Sequence, residues 1–340
     1  MPRLILSFLF VLLCLSPLEA KKRAEKFPAW ITSPATVYSE NEYIVELGSG
    51  LSQKEADNKA IEGLAAIFNR SVISKTDSSL SYNEHAKGID KTKSINQHLS
   101  LTTSIKDLVG VEIKERWKSK DGTFYALAVL NRQKAINIYS KKLEQCASLI
   151  NNALNIQNNE KGTFKEYSRH VFASSKANEM SLYKSYLSVL NPAFSLIYEQ
   201  EYDPDKLKLE TSSIAKNILI YVQFKGNWED VYLKSIFEKA FTSRGFTISN
   251  TNTGRYILSV KLELGKESKL SDDRLMVRYS LTYNLIDNTT EESLLSFIIN
   301  DKAVHFDSDG LKNQVLKSIK TKVEKDFNAS FDKYIQDFSL

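Results

Sequence analysis

Four histidines, two cysteines and a few paired acids are the residues of this 340-residue chain best suited to chemistry, and their spacing limits what they can do. His85, His98, His170 and His305 stand far apart. No pair has His-x3-His spacing, and no Cys-x2-Cys occurs, so the short motifs that set metal ligands side by side are missing from the sequence. His85 and His98 fall in a polar stretch, where a solvated imidazole is the ordinary state. His305, between Val304 and Phe306, reads as a strand-end residue. Gly48-Ser49-Gly50 ahead of a helix start is one way to cradle an anion, because the first amides of a helix are unpaired and point outward. The dinucleotide fingerprint needs a third glycine three residues later, and position 53 is Gln; no Gly-Lys-Ser/Thr follows either. The pattern therefore predicts a tight strand-to-helix turn. Gly-x-Ser-x-Gly is also missing, which removes the nucleophile elbow. Asp272-Asp273 and Glu291-Glu292 sit beside turn signals and read as solvated charge. No catalytic residue, metal site or cofactor site is predicted.

The cysteines belong to two different contexts. Cys14 lies in an apolar run that starts at Leu4, follows Arg3, and ends at Leu15. Ser16-Pro17 breaks this run, and Leu18-Glu19-Ala20 leads to Lys21-Lys22-Arg23. A charged start, a short apolar centre and a small residue at the end make a secretory signal, cut between Ala20 and Lys21. A spanning helix needs roughly 20 apolar residues, so this run is too short to remain as an anchor, and no other segment is predicted to cross a membrane. A lipidated cysteine follows a small residue, whereas Cys14 follows Val11-Leu12-Leu13, so the released chain is expected to be unacylated. It then keeps only Cys146, which cannot form an internal disulfide and which, among Leu143, Ala147 and Leu149-Ile150, predicts a buried thiol.

Lys and Arg total 46 against 41 Asp and Glu, a net charge of +5 spread along the chain without a basic patch, which argues against nucleic acid. With 17 Phe and 16 Tyr, and few Pro and Gly, the chain can bury a sizeable core. Asn69, Asn288 and Asn328 open Asn-x-Ser/Thr triplets, which matter only in a eukaryotic secretory route.

The elements that would position these residues fall into three regions. Over residues 25–132, Glu42 to Gly48 reads as a strand ended by Gly48-Ser49-Gly50. Ser52 and Glu55 form a capping box for a helix carrying Ala56, Ala60, Leu64, Phe68 and Val72. The polar stretch 75–104 fits either long strands or a loop. A hairpin comes next, with Val111, Ile113 and Trp117 on one arm, Phe124 to Leu130 on the other, and Asp121-Gly122 at the turn. Over 133–201 the period changes to that of two helices. Ala135, Ile138, Leu143, Leu149, Ile150 and Leu154 mark the first, and the second runs from Phe164 to Leu190 and stops at Asn191-Pro192. They read as a spacer, and Tyr202 to Lys208 as a connection. The region 211–340 predicts a strand over Ile218–Phe224 and a helix carrying Val231, Tyr232, Ile236, Phe237, Ala240 and Phe241. Two alternating strands come after it, through Tyr256–Leu264 and Val277–Leu285. A closing helix has Leu311, Val315, Ile319, Val323, Phe327, Phe331 and Ile335 at intervals of four. The fold class is α+β: an N-terminal α+β domain, a helical hairpin, and a C-terminal α+β, sandwich-like domain.

Pro28-Ala29-Trp30, Gly48-Ser49-Gly50 with Ala56 and Ala60, and Val109-Gly110-Val111 recur in order with Trp117, Asp121-Gly122-Thr123, Tyr125-Ala126-Leu127-Ala128-Val129 and Asn131-Arg132. On these residues the stretch from about 25 to 145 resembles the LPP-twenty domain of bacterial envelope proteins. The resemblance implies a protein of the periplasm or of the periplasmic face of the outer membrane, with no enzymatic residues; several members serve flagellar assembly. Together with the signal it implies a non-enzymatic scaffold or assembly protein whose partners are other envelope proteins, with self-association left open. The alternative is a small-molecule or peptidoglycan-binding module using the Gly48–Gly50 turn as its pocket.

Overall fold

The structure, a computed structural model, describes residues 25–87, 108–193, 202–225 and 231–338, with side chains throughout except over 74–87. Cys14, the signal junction at Ala20 and Lys21, and His98 lie outside these residues. The fold is mixed α+β, and among the described residues no helix is long and apolar enough to cross a membrane. The chain divides into two compact units, one from residues 1–69 and 105–132, the other from 70–104 and 133–340.

The first unit is a three-stranded antiparallel sheet in the order β1 (Tyr43–Gly50), β3 (Phe124–Asn131), β2 (Val111–Lys118), with residues 53–69 of helix α1 (Gln53–Lys87). The β2–β3 hairpin forms where Asp-Gly predicts it. Gly122 takes φ +93°, and the Asp121 carboxylate accepts from the Thr123 amide at 3.0 Å. Two expectations are corrected. Gly48-Ser49-Gly50 does not end the strand but pairs within it, opposite Ala126, Tyr125 and Phe124, and the turn falls at Leu51-Ser52. The polar stretch after Val72 continues α1 to Lys87 rather than turning to strand or loop, since residues 75–87 hold neither Gly nor Pro to stop the helix.

The second unit opens with α2 (Arg132–Leu154) and α3 (Phe164–Leu190), joined by a 3-10 turn and capped by Thr163, whose hydroxyl accepts from the Lys165 and Glu166 amides. Rather than standing wholly apart as a spacer, the pair joins the core of the C-terminal sheet and its closing helix through the start of α3. The Phe164 ring stacks on Tyr256 at 3.8 Å, its amide donates to the Tyr256 hydroxyl at 3.0 Å, and Ser168 donates to the Ile335 carbonyl. The buried face of α2 runs through Ala135, Ile136, Tyr139, Leu143, Cys146 and Ile150. Ile138 and Leu149, expected on that stripe, fall beside it, and Leu149 is 42% exposed. The expected connection Tyr202–Lys208 is in fact the start of α4 (Pro204–Asn217). Asp203 caps it, accepting from the Asp205 amide at 2.9 Å, and Pro204 fills the first position, where no amide is needed.

Beyond α4 come β4 (Leu219–Lys225), α5 (Val231–Thr242), β5 (Thr247–Ser249), β6 (Tyr256–Leu264), β7 (Ser268–Lys269), β8 (Leu275–Asp287) and β9 (Glu292–His305). The sheet runs β5-β4-β6-β8-β7 with β9 also on β8; β4 is parallel to β5 and β6, and the other pairs are antiparallel. Alternate residues Tyr256, Leu258, Val260 and Leu262, and Val277 through Leu285, bury against the helices as their period of two requires. On α5 the core face is Leu233, Ile236, Phe237, Ala240 and Phe241; Val231 and Tyr232 point away from it, 86% and 46% exposed.

The closing helix is α6 (Ser308–Lys322), a π turn (Val323–Phe327) and α7 (Asn328–Asp337). Its seven apolar residues at intervals of four are all buried. At ~100° per residue, each interval of four drifts by ~40°, so a continuous α-helix would spread these residues over about 240°. A π turn closes its hydrogen-bonded ring with one extra residue, which brings the spread back to about 140°, one side of the helix. Two side chains hold this turn. Asn328 Nδ2 donates to the Glu324 carbonyl at 2.9 Å, and Arg244 Nη1 donates to Asn328 Oδ1 at 2.8 Å and to the Ala240 carbonyl at 2.6 Å.

Candidate functional site

The side chains best suited to chemistry lie apart from one another among the described residues. Among the described residues no three of His, Cys, Asp and Glu lie together as a metal site would require. His170 Nδ1 is 3.0 Å from the Glu166 carbonyl on its own helix, and His305 ends β9 with Asp307 at 3.2 Å. Cys146 is buried, and burial, followed by the nearby Glu179 carboxylate, pushes its thiol up, away from the reactive thiolate. Asp272 pairs with Arg274 in a turn, while Asp273 and Glu291 take φ +65° and +59° at turn positions. Asn328 belongs to the π-turn staple.

Gly48 and Gly50 serve packing. A Cβ on Gly48 would lie 2.2 Å from the Ala56 carbonyl oxygen and 2.4 Å from the Ala60 nitrogen, so α1 crosses the strand where only hydrogen fits. Gly50 faces the Glu55 side chain. The Glu55 carboxylate accepts from the Leu51 amide at 2.9 Å and pairs with Lys59 at 2.8 Å, while the Ser52 hydroxyl accepts from the Glu55 amide. The chain's own carboxylate thus stands where the alternative reading would put an anion. Arg116 binds both Asp57 oxygens at 3.0 to 3.2 Å, tying β2 to the same helix and holding the Asp57 carboxyl below its usual range.

The opposite face of this sheet is aromatic. Pro28 begins a helical turn over Ala29–Thr32 that lays Trp30 on Leu127 and Val129. Phe27 lies 5.0 Å from Trp117 and 5.9 Å from Tyr125, and those two rings are 5.6 Å apart. Tyr38 meets Tyr43 edge-on at 5.4 Å and donates to Glu115 at 2.9 Å. Trp30 is buried; Phe27, Tyr38, Tyr43, Trp117 and Tyr125 are half-buried. The remaining motif residues frame this face. Gly110 takes φ +93° just before β2, Gly122 turns the hairpin, and Arg132 Nε donates to the Glu40 carbonyl at 2.9 Å, closing the ends of β1 and β3. Of the surface, sequence reasoning singled out Trp30, Trp117 and Tyr125. It missed Phe27 and Tyr38, which come from an irregular segment without periodicity.

Burial first, and Glu115 second, push the Tyr38 phenol up to about 12, against an ordinary value of about 10. The fold favours the neutral phenol, so its contribution is complete below about pH 10 and is lost as pH rises to about 12. For so open a site this is of order 1 kcal/mol. Tyr38→Phe is expected to flatten the alkaline loss of stability over that window, measured by thermal melts on either side of it. An unchanged loss would place its origin elsewhere.

No family model matches the chain, and no characterised protein matches it by sequence. Among solved structures, the secreted protein HP1454 from Helicobacter pylori aligns with 83% of this chain and 97% of its own, at 14% identity and a TM-score of 0.46. A minor lipoprotein from Acinetobacter baumannii aligns with 33% of this chain and 94% of its own, at 14% identity and a TM-score of 0.26. These are likenesses in outline, and nothing about function follows from them.

Proposed function

We propose that this chain is an exported, non-enzymatic protein of the bacterial envelope that acts in assembly or scaffolding through contacts with other envelope proteins. The secretory layout of the first residues and the resemblance of residues 25–145 to the LPP-twenty domain support export to the periplasm or the periplasmic face of the outer membrane. A flagellar-assembly role is one form this function takes in that family. The observation that carries the reading is the half-buried group of Phe27, Trp117 and Tyr125, pinned on a rigid strand pair. Large rings with few rotatable bonds give much contact area for little ordering entropy, which is why Trp and Tyr dominate protein interfaces.

Two measurements test it. Cell fractionation with mass spectrometry is expected to find an envelope protein beginning at Lys21. An acylated Cys14 would make the anchor a lipid, and an uncleaved chain in the cytoplasm would remove the reading altogether. In pull-downs from envelope extract, Trp117→Ala is expected to weaken capture of specific partners by roughly 30-fold, the scale of a ~2 kcal/mol hot spot, while the chain still folds. Capture unchanged by this substitution would show that the aromatic face is not the contact.

A further inference from the structure

In the second unit a cleft of about 230 Å³ opens between α5 and the π turn of the closing helix. Its floor is apolar: Ile236, Ala240 and Val323, each under a tenth exposed. Lys239 and Lys320 line it from the two sides, and Glu324 is its one acidic residue. Neighbouring lysines are paired, Lys234 with Glu238 and Lys322 with Asp301. Lys239 and Lys320 make no ion pair among the described residues, so two ammonium groups border an apolar floor and outnumber the single carboxylate of Glu324. The wall is also fixed in place. Val323 and Glu324 belong to the π turn, a distortion that recurs at functional sites, and the Asn328–Arg244 staple holds it there. Arg244 itself is committed to Asn328 and to Asp332 at 2.8 Å, which leaves the two lysines as the cations open to a ligand.

We propose that this cleft binds a small amphiphilic anion, its carboxylate or phosphate head against Lys239 and Lys320 and a short alkyl or acyl body on Ile236, Ala240 and Val323. At about 230 Å³ the space lies below the ~300 Å³ at which drug-sized sites begin, so the body is short. The head can belong to a free acid or ester, or to a lipid in a membrane surface. This inference stands apart from the assembly role, which rests on the first unit.

The chain from Lys21 is titrated by calorimetry with octanoate, octyl phosphate and 1-octanol, beside a double variant Lys239→Gln, Lys320→Gln. Octanoate and octyl phosphate are expected to bind at least tenfold more tightly than octanol. The double variant is expected to bring both down to the level of octanol with an unchanged melting temperature. Co-sedimentation with phosphatidylglycerol vesicles separates the sources. Vesicle binding that the double variant loses assigns the head to a membrane lipid; no vesicle binding, with octanoate bound, assigns it to a free anion. Equal binding of all three probes, no binding of any, or anion binding that survives the double variant would overturn the proposal.

Discussion

Replacing Gly48 with alanine is expected to destabilise the first unit by about 3 kcal/mol, at the upper end of what one added methyl costs in a packed seam. The contact that forbids it is with backbone. A Cβ there meets the Ala56 carbonyl oxygen at 2.2 Å and the Ala60 nitrogen at 2.4 Å, and neither can rotate aside. Relief requires α1 to lift from the sheet, which opens the seam where Ala56, Ala60, Leu64 and Phe68 are fully buried. At ~4–8 °C per kcal/mol for a unit of this size, the melting temperature should fall by at least ~10 °C. Gly50→Ala is the matched control. Its Cβ meets Glu55 Cβ, Cγ and Cδ at 2.8 to 2.9 Å; Cγ and Cδ can swing away at the expense of one cap, about 1 kcal/mol, and Cβ needs only a slight shift of the first helical turn, not the lifting of α1. Scanning calorimetry of both variants decides between them. Equal melting would mean that close approach at Gly48 is not what the glycine provides.

How much of this was legible in the sequence depends on whether a signal was local. The alternation in Tyr256–Leu264 and Val277–Leu285, the Asp121-Gly122 turn and the Ser52–Glu55 cap are decided by neighbours a few residues apart, and each forms as its spacing requires. Where one set of residues serves two structures, sequence alone chose the wrong one. Asp203-Pro204 signals a turn and a capped helix start equally well, and only the packing of Leu207 and Ala215 behind it separates the two. Leu149 is apolar yet lies beside the buried stripe of α2, because it stands ~100° round the helix from Ile150, which takes the core position at that level. The candidate surface was half legible. Trp117 and Tyr125 are brought together by hairpin register, whereas Phe27 and Tyr38 arrive by tertiary contact alone. The cleft had no local signal, since α5 and the π turn meet only in the folded unit.

The closing helix supplies the largest effect, because its period of four could be read in the sequence but its consequence could not. If the π turn absorbs the one residue by which seven apolar positions outrun an α-helix, removing one residue inside the turn should be tolerated. Deleting exposed Lys325 turns Val323–Phe327 into ordinary α-helix and keeps Leu311 through Ile335 on one side, within about 140°. Deleting exposed Lys317 removes one residue of the same type from regular helix and rotates everything after it by ~100° relative to Leu311 and Val315. Even if the π turn then closes as α-helix and returns Phe327, Phe331 and Ile335 to their places, Ile319 and Val323 stay ~100° out of position in a core where each is at most 1% exposed. Losing even two such side chains costs about 4–10 kcal/mol, comparable to the whole stability of a domain. The Lys325 deletion should therefore melt within ~5 °C of the parent, losing little beyond the Asn328 and Arg244 bonds at the turn. The Lys317 deletion should leave the second unit unfolded, as seen by calorimetry and by proton chemical-shift dispersion. If the two deletions proved equally damaging, the π turn would be holding something other than register.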